Sequence, residues 1–226
     1  MLAEPWQQAL AQETRKLYFQ RLERFIRKRR KETRVLPSAE LTYRAFDLVK
    51  PDKVKVVIVG QEPYGVSNGL AFSVPKEQGI PPTLSNIFKE LKADIGCPLP
   101  NHGDLIDWSN RGILLLNSVL TTEQDSPLAH ANMGWERFTD YVISWLNLNK
   151  EGIVFMLWGV EALKKEPLIK DTKHLIIKTT HPSPFSAHLK QKNLRAFLGS
   201  KPFSEANRYL IKNGRNPIDW TIKNRV

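Results

Sequence analysis

The strongest constraint on the fold of this chain is a set of four short apolar runs, each followed by small or polar residues. The runs are Val54–Val59, Ile113–Leu116, Ile153–Leu157 and His174–Lys178. Short apolar runs bounded by turn residues predict buried strands, and strands that alternate with helical segments predict a parallel sheet. We therefore predict an α/β fold in which helices cover both faces of a central four-stranded parallel sheet. The 226 residues suffice for one such domain, so we assign residues 1–226 to a single domain.

Apolar and aromatic residues with helical spacing mark the other elements. The predicted helices cover Trp6–Lys31, Ser38–Phe46, Thr83–Ile95, Trp135–Leu146 and Ser204–Asn213. In the third of these segments, the hydroxyl of Thr83 follows two prolines and is a suitable N-cap. These helices alternate with the strands as a parallel sheet requires.

The loops that follow the strands meet at one edge of a parallel sheet, which is where ligands bind in open α/β folds. These loops contain Gln61–Tyr64, Asn117, Gly159 and His181–Ser186. Prolines, which cannot continue a strand, stiffen the first and the last of them. An edge that combines a carboxylate, an amide, aromatic rings and an imidazole predicts a binding or catalytic site.

The composition limits the kinds of partner and cofactor. A formal net charge of +11 favours a polyanionic partner, although the basic run Arg21–Lys31 also fits a solvated amphipathic helix. Cys97 is the only cysteine, which excludes an intrachain disulfide and a cysteine-rich metal site. The five histidines lack the i, i+4 spacing of a helical zinc site, so we predict no metal and no cofactor.

The sequence also bears on location. The amino terminus, Met1–Gln12, contains Glu4 and lacks the basic and apolar regions of a secretory signal. No apolar run approaches the roughly 20 residues that cross a bilayer. We expect no membrane association and a cytoplasmic location of the bacterial type.

An ordered series of motifs carries a family resemblance. The motifs are GQEPYG at 60–65, GLAFSV at 69–74, PPTLSNIFKEL at 81–91, LPNHGDL at 99–105, GILLLNSVLT at 112–121, GWERFTD at 134–140, LWG at 157–159, HPSPFS at 181–186 and PIDW at 217–220. Over Leu36–Trp220 the chain resembles family 1 uracil-DNA glycosylases, whose first motif is usually GQDPYH. The resemblance implies the fold predicted above and a hydrolase that excises uracil from DNA, the first step of base excision repair.

The resemblance places two residues at the reacting bond. Glu62 occupies the position of the carboxylate that orients or activates water and offsets positive charge on the sugar. His181 occupies the position of the imidazole that hydrogen-bonds uracil O2 as negative charge develops there. A surface carboxylate and a packed core histidine are the structural alternatives. The motifs imply no nucleophilic lysine or cysteine, so we expect release of the base without strand cleavage.

The implied uracil pocket contains Gln61, Tyr64, Phe72 and Asn117. The amide of Asn117 donates to uracil O4 and accepts from N3–H, a pattern that cytosine reverses. Phe72 stacks on the flipped base, and Tyr64 excludes the methyl group of thymine. Outside these motifs, both rings are more typical of a hydrophobic core.

Uracil in a duplex must be flipped out of the base stack before it reaches these groups. Phe185 occupies the position of the family's wedge leucine, although an apolar anchor for its own loop is the alternative. The residues expected at DNA phosphates are Pro81, Pro82, Thr83, Gly159, Pro182, Ser183 and Ser186. Leu189 stands at the position of a family arginine. The residues of the extra segment that we expect to restore its contacts are Lys190, Lys192 and Arg195.

Several substitutions fall within the motifs. Glu62 replaces an aspartate and adds one methylene group, roughly 1.5 Å of reach, and such displacements lower rates steeply. Gly65 replaces a histidine that helps to hold the water and a phosphate, and Val160 replaces a serine. The loop from Tyr64 to Gly69 is also shorter than usual. Because the pocket residues are retained, we predict an active glycosylase that is slower than typical family members.

Three other functions fit the same residues. A catalytically weak or inactive uracil-DNA binder, or a decoy for glycosylase inhibitor proteins, would keep the pocket without turnover. A glycosylase for C5-substituted uracil would use a shifted Tyr64 loop. A structural partner on DNA would need neither Asn117 nor His181. For the glycosylase we expect a monomer that acts on single- or double-stranded uracil-containing DNA and whose DNA-binding face accepts an inhibitor protein.

Overall fold

The computed structural model describes residues 2–170, 173–191 and 193–224. The helices in this part of the chain are α1 Glu4–Ala9, α2 Ala11–Thr14, α3 Leu17–Glu32, α4 Arg44–Leu48, α5 Pro82–Ile95, α6 Ile106–Asn110, α7 Trp135–Asn149, α8 Val160–Leu163 and α9 Pro202–Lys212. Short 3₁₀ helices cover Ala39–Leu41, Pro51–Lys53 and Glu166–Leu168. The strands are β1 Val35–Leu36, β2 Val56–Gly60, β3 Ile113–Asn117, β4 Thr122–Glu123, β5 Val154–Trp158 and β6 Leu175–Thr179.

The large sheet has the order β3-β2-β5-β6, and all its neighbouring strands run parallel. Every residue of β2, β3 and β5 is buried, which requires cover on both faces of the sheet. The edge strand β6 is partly exposed. The predicted four-stranded parallel sheet is therefore confirmed, and each predicted strand overlaps an observed one.

The single helix predicted over Trp6–Lys31 is wrong, because the chain turns twice within that segment. Leu10 has φ −107° and ψ 10°, and Lys16 has ψ 145°, so neither residue continues a helix. In a straight helix Phe19 would lie on the face opposite Leu10. The turns bring both side chains into the core, where Leu10 is 0% and Phe19 7% exposed.

Two further helix boundaries differ from the sequence prediction. In place of one helix over Ser38–Phe46, the 3₁₀ turn at Ala39–Leu41 precedes α4. Thr83 is not an N-cap, because α5 begins at Pro82 and Pro81 takes the capping position with φ −61° and ψ 150°. The fixed φ of proline suits the first turn of a helix, where its missing N–H leaves no hydrogen bond unmade.

The sequence did not predict a small second sheet, which is formed by β1 and β4. β1 and β4 pair antiparallel through Val35–Glu123 and Leu36–Thr122. Two-residue strands are too short to leave a periodic pattern. Their ladder continues when the amide of Gln124 donates to the carbonyl of Arg34 at 2.9 Å. This pairing fixes the residues that follow α3 beside the segment 124–130.

Aromatic side chains fill much of the core. Trp6, Trp108, Trp135, Trp158 and Trp220 are among the largest fully buried side chains. The thiol of Cys97 is buried and free. None of the described helices is both long and apolar enough to cross a membrane.

Candidate active site

A cavity of about 310 Å³ opens where the loops after β2, β3 and β6 meet. Its walls are formed by Gly60, Gln61, Glu62, Pro63, Tyr64, Gly65, Phe72, Thr83, Asn117, Pro127 and His181. The structure thus brings together both predicted catalytic residues and all four predicted pocket residues. A second cavity of about 180 Å³ adjoins the first and shares Gly60, Gln61, Phe72 and His181 with it.

Asn117 ends β3 with its amide side chain 4% exposed. Its backbone position is fixed because Ser118 N donates to Gly60 O and Val119 N donates to Gln61 O, each at 2.9 Å. A side chain at Gly60 would not fit, since its Cβ would lie 2.3 Å from Asn117 Oδ1. Within the described part of the chain, this Oδ1 atom is buried without a hydrogen-bond partner. A buried acceptor left unpaired is costly, so this atom predicts a ligand that carries a donor.

The loop after β6 holds His181 as a neutral imidazole. The amide of Ser183 donates to Nδ1 of His181 at 3.1 Å, so the ring proton resides on Nε2. Burial lowers the pKa of His181, which further favours the neutral ring. Gly159 permits the close approach of this loop: its φ is +90°, and a Cβ there would lie 2.7 Å from His181 Cβ. The site therefore offers an uncharged N–H donor.

Hydrogen bonds make this loop rigid. Ser186 Oγ donates to the carbonyl of His181 at 2.8 Å, and Thr180 Oγ1 donates to the carbonyl of Ser186 at 2.9 Å. Asn86 Nδ2, from α5, donates to the carbonyl of Pro182 at 2.9 Å. Each bond satisfies a backbone carbonyl of the loop, which orients the imidazole before any ligand binds.

Two aromatic residues, Phe72 and Tyr64, line the same cavity as the imidazole. The Phe72 ring centroid lies 6.0 Å from that of His181 and 5.5 Å from that of Trp158. Phe72 has φ 64°, a left-handed conformation that is unfavourable for a bulky residue and that concentrates at functional sites. Burial raises the pKa of Tyr64, although a hydrogen bond with Thr83 acts in the opposite direction. Thr83, in the first turn of α5, thus hydrogen-bonds with the pocket residue Tyr64.

The carboxylate of Glu62 is held from outside the motifs. Its Oε2 atom accepts a hydrogen bond from the amide of Leu128 at 2.8 Å. No described residue donates to Oε1, so this oxygen is available to a water or a sugar. Leu128 and its neighbour Pro127 were missed from the sequence. Leu128 contributes only a backbone N–H, which no side-chain pattern reveals.

A comparison with known proteins identifies the family. Residues 46–211 match the sequence model of the uracil DNA glycosylase superfamily. The chain belongs to this superfamily. As a uracil-DNA glycosylase it is a hydrolase of N-glycosyl bonds. The predicted family resemblance is confirmed over most of the chain.

Named relatives of this glycosylase cover almost its whole length. The uracil-DNA glycosylase of Amoebophilus asiaticus is 46% identical over 222 residues, which are 97% of this chain and 98% of that protein. The uracil-DNA glycosylase of Bacillus subtilis is 44% identical over 226 residues, or 99% and 98% of the two chains. The crystal structure of mimivirus uracil-DNA glycosylase aligns with a TM-score of 0.91 at 30% identity, covering 98% of this chain and 88% of that one. A variant of the mimivirus enzyme in complex with UGI gives a TM-score of 0.93 at the same identity.

The predicted DNA-contacting residues of this glycosylase lie around the mouth of the cavity. Those that lie in the loops and helix ends bordering the site are Pro81, Pro82, Thr83, Gly159, Pro182, Ser183 and Ser186. The hydroxyls of Ser183 and Ser186 are 2.9 Å apart and joined by a hydrogen bond. Phe185 projects from the same loop with 88% of its surface exposed.

The three basic residues predicted to restore phosphate contacts differ in their surroundings. Lys190 is exposed, whereas the guanidinium of Arg195 forms an ion pair with Glu205. Lys192 lies outside the described residues. The predicted restoration of phosphate contacts by these three residues stays a prediction.

Two of the positions predicted to depart from the family motif, Gly65 and Val160, lie in open surroundings. A Cβ at Gly65 would meet no atom within 4 Å, so the backbone there does not require glycine for lack of space. Val160 is 60% exposed at the first position of α8. Among the described residues, no group of three or more histidine, cysteine, aspartate or glutamate side chains could hold a metal ion.

Two histidines with lowered pKa values, His130 and His181, predict how the stability of this glycosylase depends on pH. Burial is the largest cause that lowers the pKa of His130 and of His181 below the ordinary 6.5. The unfolded chain therefore binds more protons than the folded chain as pH falls through this value, and acidification favours unfolding. We expect a lower melting temperature at pH 5.5 than at pH 7.5. The difference should shrink in His181→Asn and persist in a substitution of the exposed His188; a melting temperature that rises at pH 5.5 would contradict this account.

Proposed function

We propose that this chain is a monofunctional uracil-DNA glycosylase that flips uracil out of DNA and hydrolyses its N-glycosidic bond. One observation carries the proposal: a single cavity is lined by the Glu62 carboxylate, the neutral His181 imidazole and the unpaired buried Oδ1 of Asn117. Family membership and the named relatives support the same substrate class. Release of the base would begin base excision repair.

Base recognition in this proposal follows from hydrogen-bond complementarity. Uracil N3–H supplies the donor that Asn117 Oδ1 lacks, and uracil O4 accepts from the same amide group. Cytosine presents an unprotonated N3 and an amino group, so it would leave the Asn117 amide unpaired or opposed. Phe72 would stack on the uracil ring, and Tyr64 would meet the 5-methyl group of thymine. Gln61 completes the wall of the pocket.

The hydrolysis in this proposal divides charge between two residues. As the C1′–N1 bond breaks, positive charge develops on the sugar and negative charge on uracil. The Nε2–H of His181 donates to uracil O2 and stabilises the departing anion. A water oxygen adds to C1′ while the Glu62 carboxylate orients it and accepts its proton. No nucleophilic amine or thiol takes part, so the DNA strand remains intact.

We further propose that turnover is slower than in members with aspartate and histidine at positions 62 and 65. Glutamate displaces the carboxylate by roughly one bond length, about 1.5 Å, and misplacement of a catalytic group on this scale reduces rate. Gly65 provides no side chain to hold the water. The enzyme would act on DNA as a monomer, because one chain supplies all the groups of the site. Its proposed location is the bacterial cytoplasm.

The deciding experiment is single-turnover excision from a labelled oligonucleotide with one uracil, followed by alkaline cleavage of abasic sites. Matched oligonucleotides with cytosine, thymine or 5-substituted uracil at the same position test the pocket. Product from the uracil strand alone supports the proposal. Binding of the uracil strand without product would instead identify a reader or decoy, and UGI, which a mimivirus relative binds, would be the ligand to test for the decoy.

Phe185 should matter for duplex DNA and little for single strands. The exposed ring is proposed to fill the space that the flipped base vacates, and that space exists only where bases are stacked on both strands. For Phe185→Ala we expect about a tenfold lower single-turnover rate on duplex DNA. This loss corresponds to a fraction of the free energy needed to unstack one base step. The rate on single-stranded DNA should stay within about twofold of wild type.

The matched control is Leu148→Ala, which removes an apolar side chain that is 72% exposed at the end of α7. It should change neither rate. Equal losses on duplex and single-stranded DNA with Phe185→Ala would show that the ring anchors its own loop and is not a wedge.

A further inference from the structure

A loop outside the sequence motifs holds the carboxylate of Glu62. We call residues 123–130 the clamp loop. Within it, the Leu128 amide donates to Glu62 Oε2 at 2.8 Å, and Pro127 lines the same cavity as Glu62. The clamp loop is thus the immediate support of the residue whose extra methylene group distinguishes this site.

The clamp loop has a backbone that needs external support. Leu128 has φ 62° and Asp125 has φ 58°, both in the left-handed region. For residues other than glycine this conformation is unfavourable and persists only where the surroundings fix it. The positive φ at Leu128 is part of the geometry with which its N–H reaches Glu62. Loosening the loop should therefore release the carboxylate.

Arg29 of α3 anchors the loop at Glu123. Arg29 Nε donates to Oε1 of Glu123 at 2.6 Å, and a terminal nitrogen of the same guanidinium donates to Oε2 at 3.0 Å. Two parallel charge-assisted bonds fix both distance and orientation. Hydrogen bonding from Arg29 is also the largest cause that lowers the pKa of Glu123, so this carboxylate stays ionised.

His130 anchors the other end of the clamp loop. Burial lowers the pKa of His130, and its Nε2 atom lies 3.2 Å from Glu123 Oε1, to which a neutral ring donates. Its Nδ1 then accepts from the Thr121 hydroxyl at 2.8 Å, which itself accepts from Trp135 Nε1 at 2.7 Å. His130, at one end of the clamp loop, is therefore hydrogen-bonded to Glu123 at the other end, the residue that Arg29 holds.

We propose that Arg29 is a positioning residue for Glu62, acting through Glu123 and the Leu128 amide. Glutamate has one more rotatable bond than aspartate, and the Leu128 hydrogen bond confines its carboxylate while leaving Oε1 free for the water. An aspartate at position 62 would be roughly 1.5 Å too short to form this bond. The clamp loop would therefore position the carboxylate of glutamate at position 62 and not that of aspartate. This inference rests on the proposed function, to which it adds a positioning residue.

A double-mutant experiment tests the coupling. Arg29→Gln should lower the single-turnover excision rate by about tenfold in the wild-type background, as expected for a slightly misplaced catalytic group. The affinity for uracil-containing DNA should change less than about twofold, because Arg29 positions a group that acts in the bond-breaking step. In the Glu62→Asp background the same substitution should alter the rate by less than about twofold. Equal losses in both backgrounds would overturn the proposal.

Two controls separate positioning from general damage. Lys28→Gln removes a neighbouring positive charge on α3. The Lys28 side chain is 72% exposed and its Nζ lies 3.7 Å from Oε1 of Glu32, so the substitution should leave the rate unchanged. Arg29→Lys keeps the charge but loses the two parallel bonds, and it should lie between wild type and Arg29→Gln. A loss with Lys28→Gln equal to that with Arg29→Gln would instead indicate a contribution from charge alone and would overturn the proposal.

The Leu128 amide can be observed by NMR without measuring excision, so the clamp can be tested separately from the proposed function. In protein labelled with ¹⁵N-leucine, the Leu128 amide signal should shift in Glu62→Asp, and its hydrogen exchange should accelerate in Arg29→Gln. If neither changes, the clamp is refuted whatever the excision rate. If both change but wild type releases no uracil, the proposed function fails and the clamp stands as a structural feature.

Discussion

Replacement of Glu62 by glutamine is expected to lower single-turnover uracil excision by about 10²–10⁴-fold, the range that a positioned general base contributes. Glutamine has nearly the same size, and its carbonyl oxygen still accepts the hydrogen bond from the Leu128 amide. The substitution therefore removes the negative charge and the proton acceptor while preserving the packing. Binding of uracil-containing DNA should persist, because Asn117, Phe72 and Phe185 are untouched.

Glu62→Asp should act in the opposite direction. The resemblance of GQEPYG to the family motif GQDPYH implies that a shorter carboxylate restores the family's usual distance, so we expect the rate to rise by about tenfold. Adding Gly65→His should raise it further, because the imidazole supplies a polar group to hold the water; a Cβ at position 65 meets no atom within 4 Å. Single-turnover rates and equilibrium binding are measured on the same labelled oligonucleotide for all four proteins. Retention of the wild-type rate by Glu62→Gln would refute a role for this carboxylate in bond cleavage.

The sequence locates the cavity-lining side chains correctly where each of them directly follows or ends a strand. Gln61 and Glu62 follow β2, Asn117 ends β3 and His181 follows β6. Apolar runs locate the strands, and a parallel sheet brings their carboxyl ends to one edge. The cavity at this edge thus follows from topology before any side-chain contact is known.

The same reasoning fails where long-range contacts decide the local path. The breaks at Leu10 and Lys16 depend on what α1 to α3 pack against, which helical spacing does not contain. The clamp loop depends on a pair between Arg29 and Glu123, which are 94 positions apart. Its contribution to the site is one backbone N–H. No propensity or motif identifies such a group, so only the folded structure reveals it.

The sequence predicts the position of the His181 imidazole but not its tautomer. The motif places an imidazole at the cavity, but the amide of Ser183 decides which nitrogen carries the proton. The Ser183 N–H comes from the same loop, so the choice is local and yet invisible in a list of side chains. It leaves the Nε2–H as the donor that the ring can offer to a ligand, and protonation of Nδ1 would break the bond to Ser183.

Loss of the His181 side chain is the second change with a large expected effect. His181→Leu removes the N–H that we propose stabilises the uracil anion in a partly buried site, and the rate should fall by about 10²–10³-fold. The substitution His188→Leu serves as the matched control, because His188 is exposed farther along the same segment. It should leave the rate within about twofold of wild type. A modest loss with His181→Leu would mean that leaving-group stabilisation comes from elsewhere in the pocket.

The pH dependence of the wild-type rate distinguishes a neutral donor from an imidazolium. Burial lowers the pKa of His181 below its ordinary value of 6.5, so the ring stays neutral as pH falls through 6.5. The single-turnover rate should therefore show no His181-dependent increase between pH 8.5 and pH 5.5. A cationic donor would give the opposite result, a rate that rises on acidification with a midpoint near 6.5 and that loses this limb in His181→Leu. Because the Ser183 amide already donates to Nδ1, a second proton on the ring would have to displace that bond. The neutral ring is thus the form that both the loop and its burial favour.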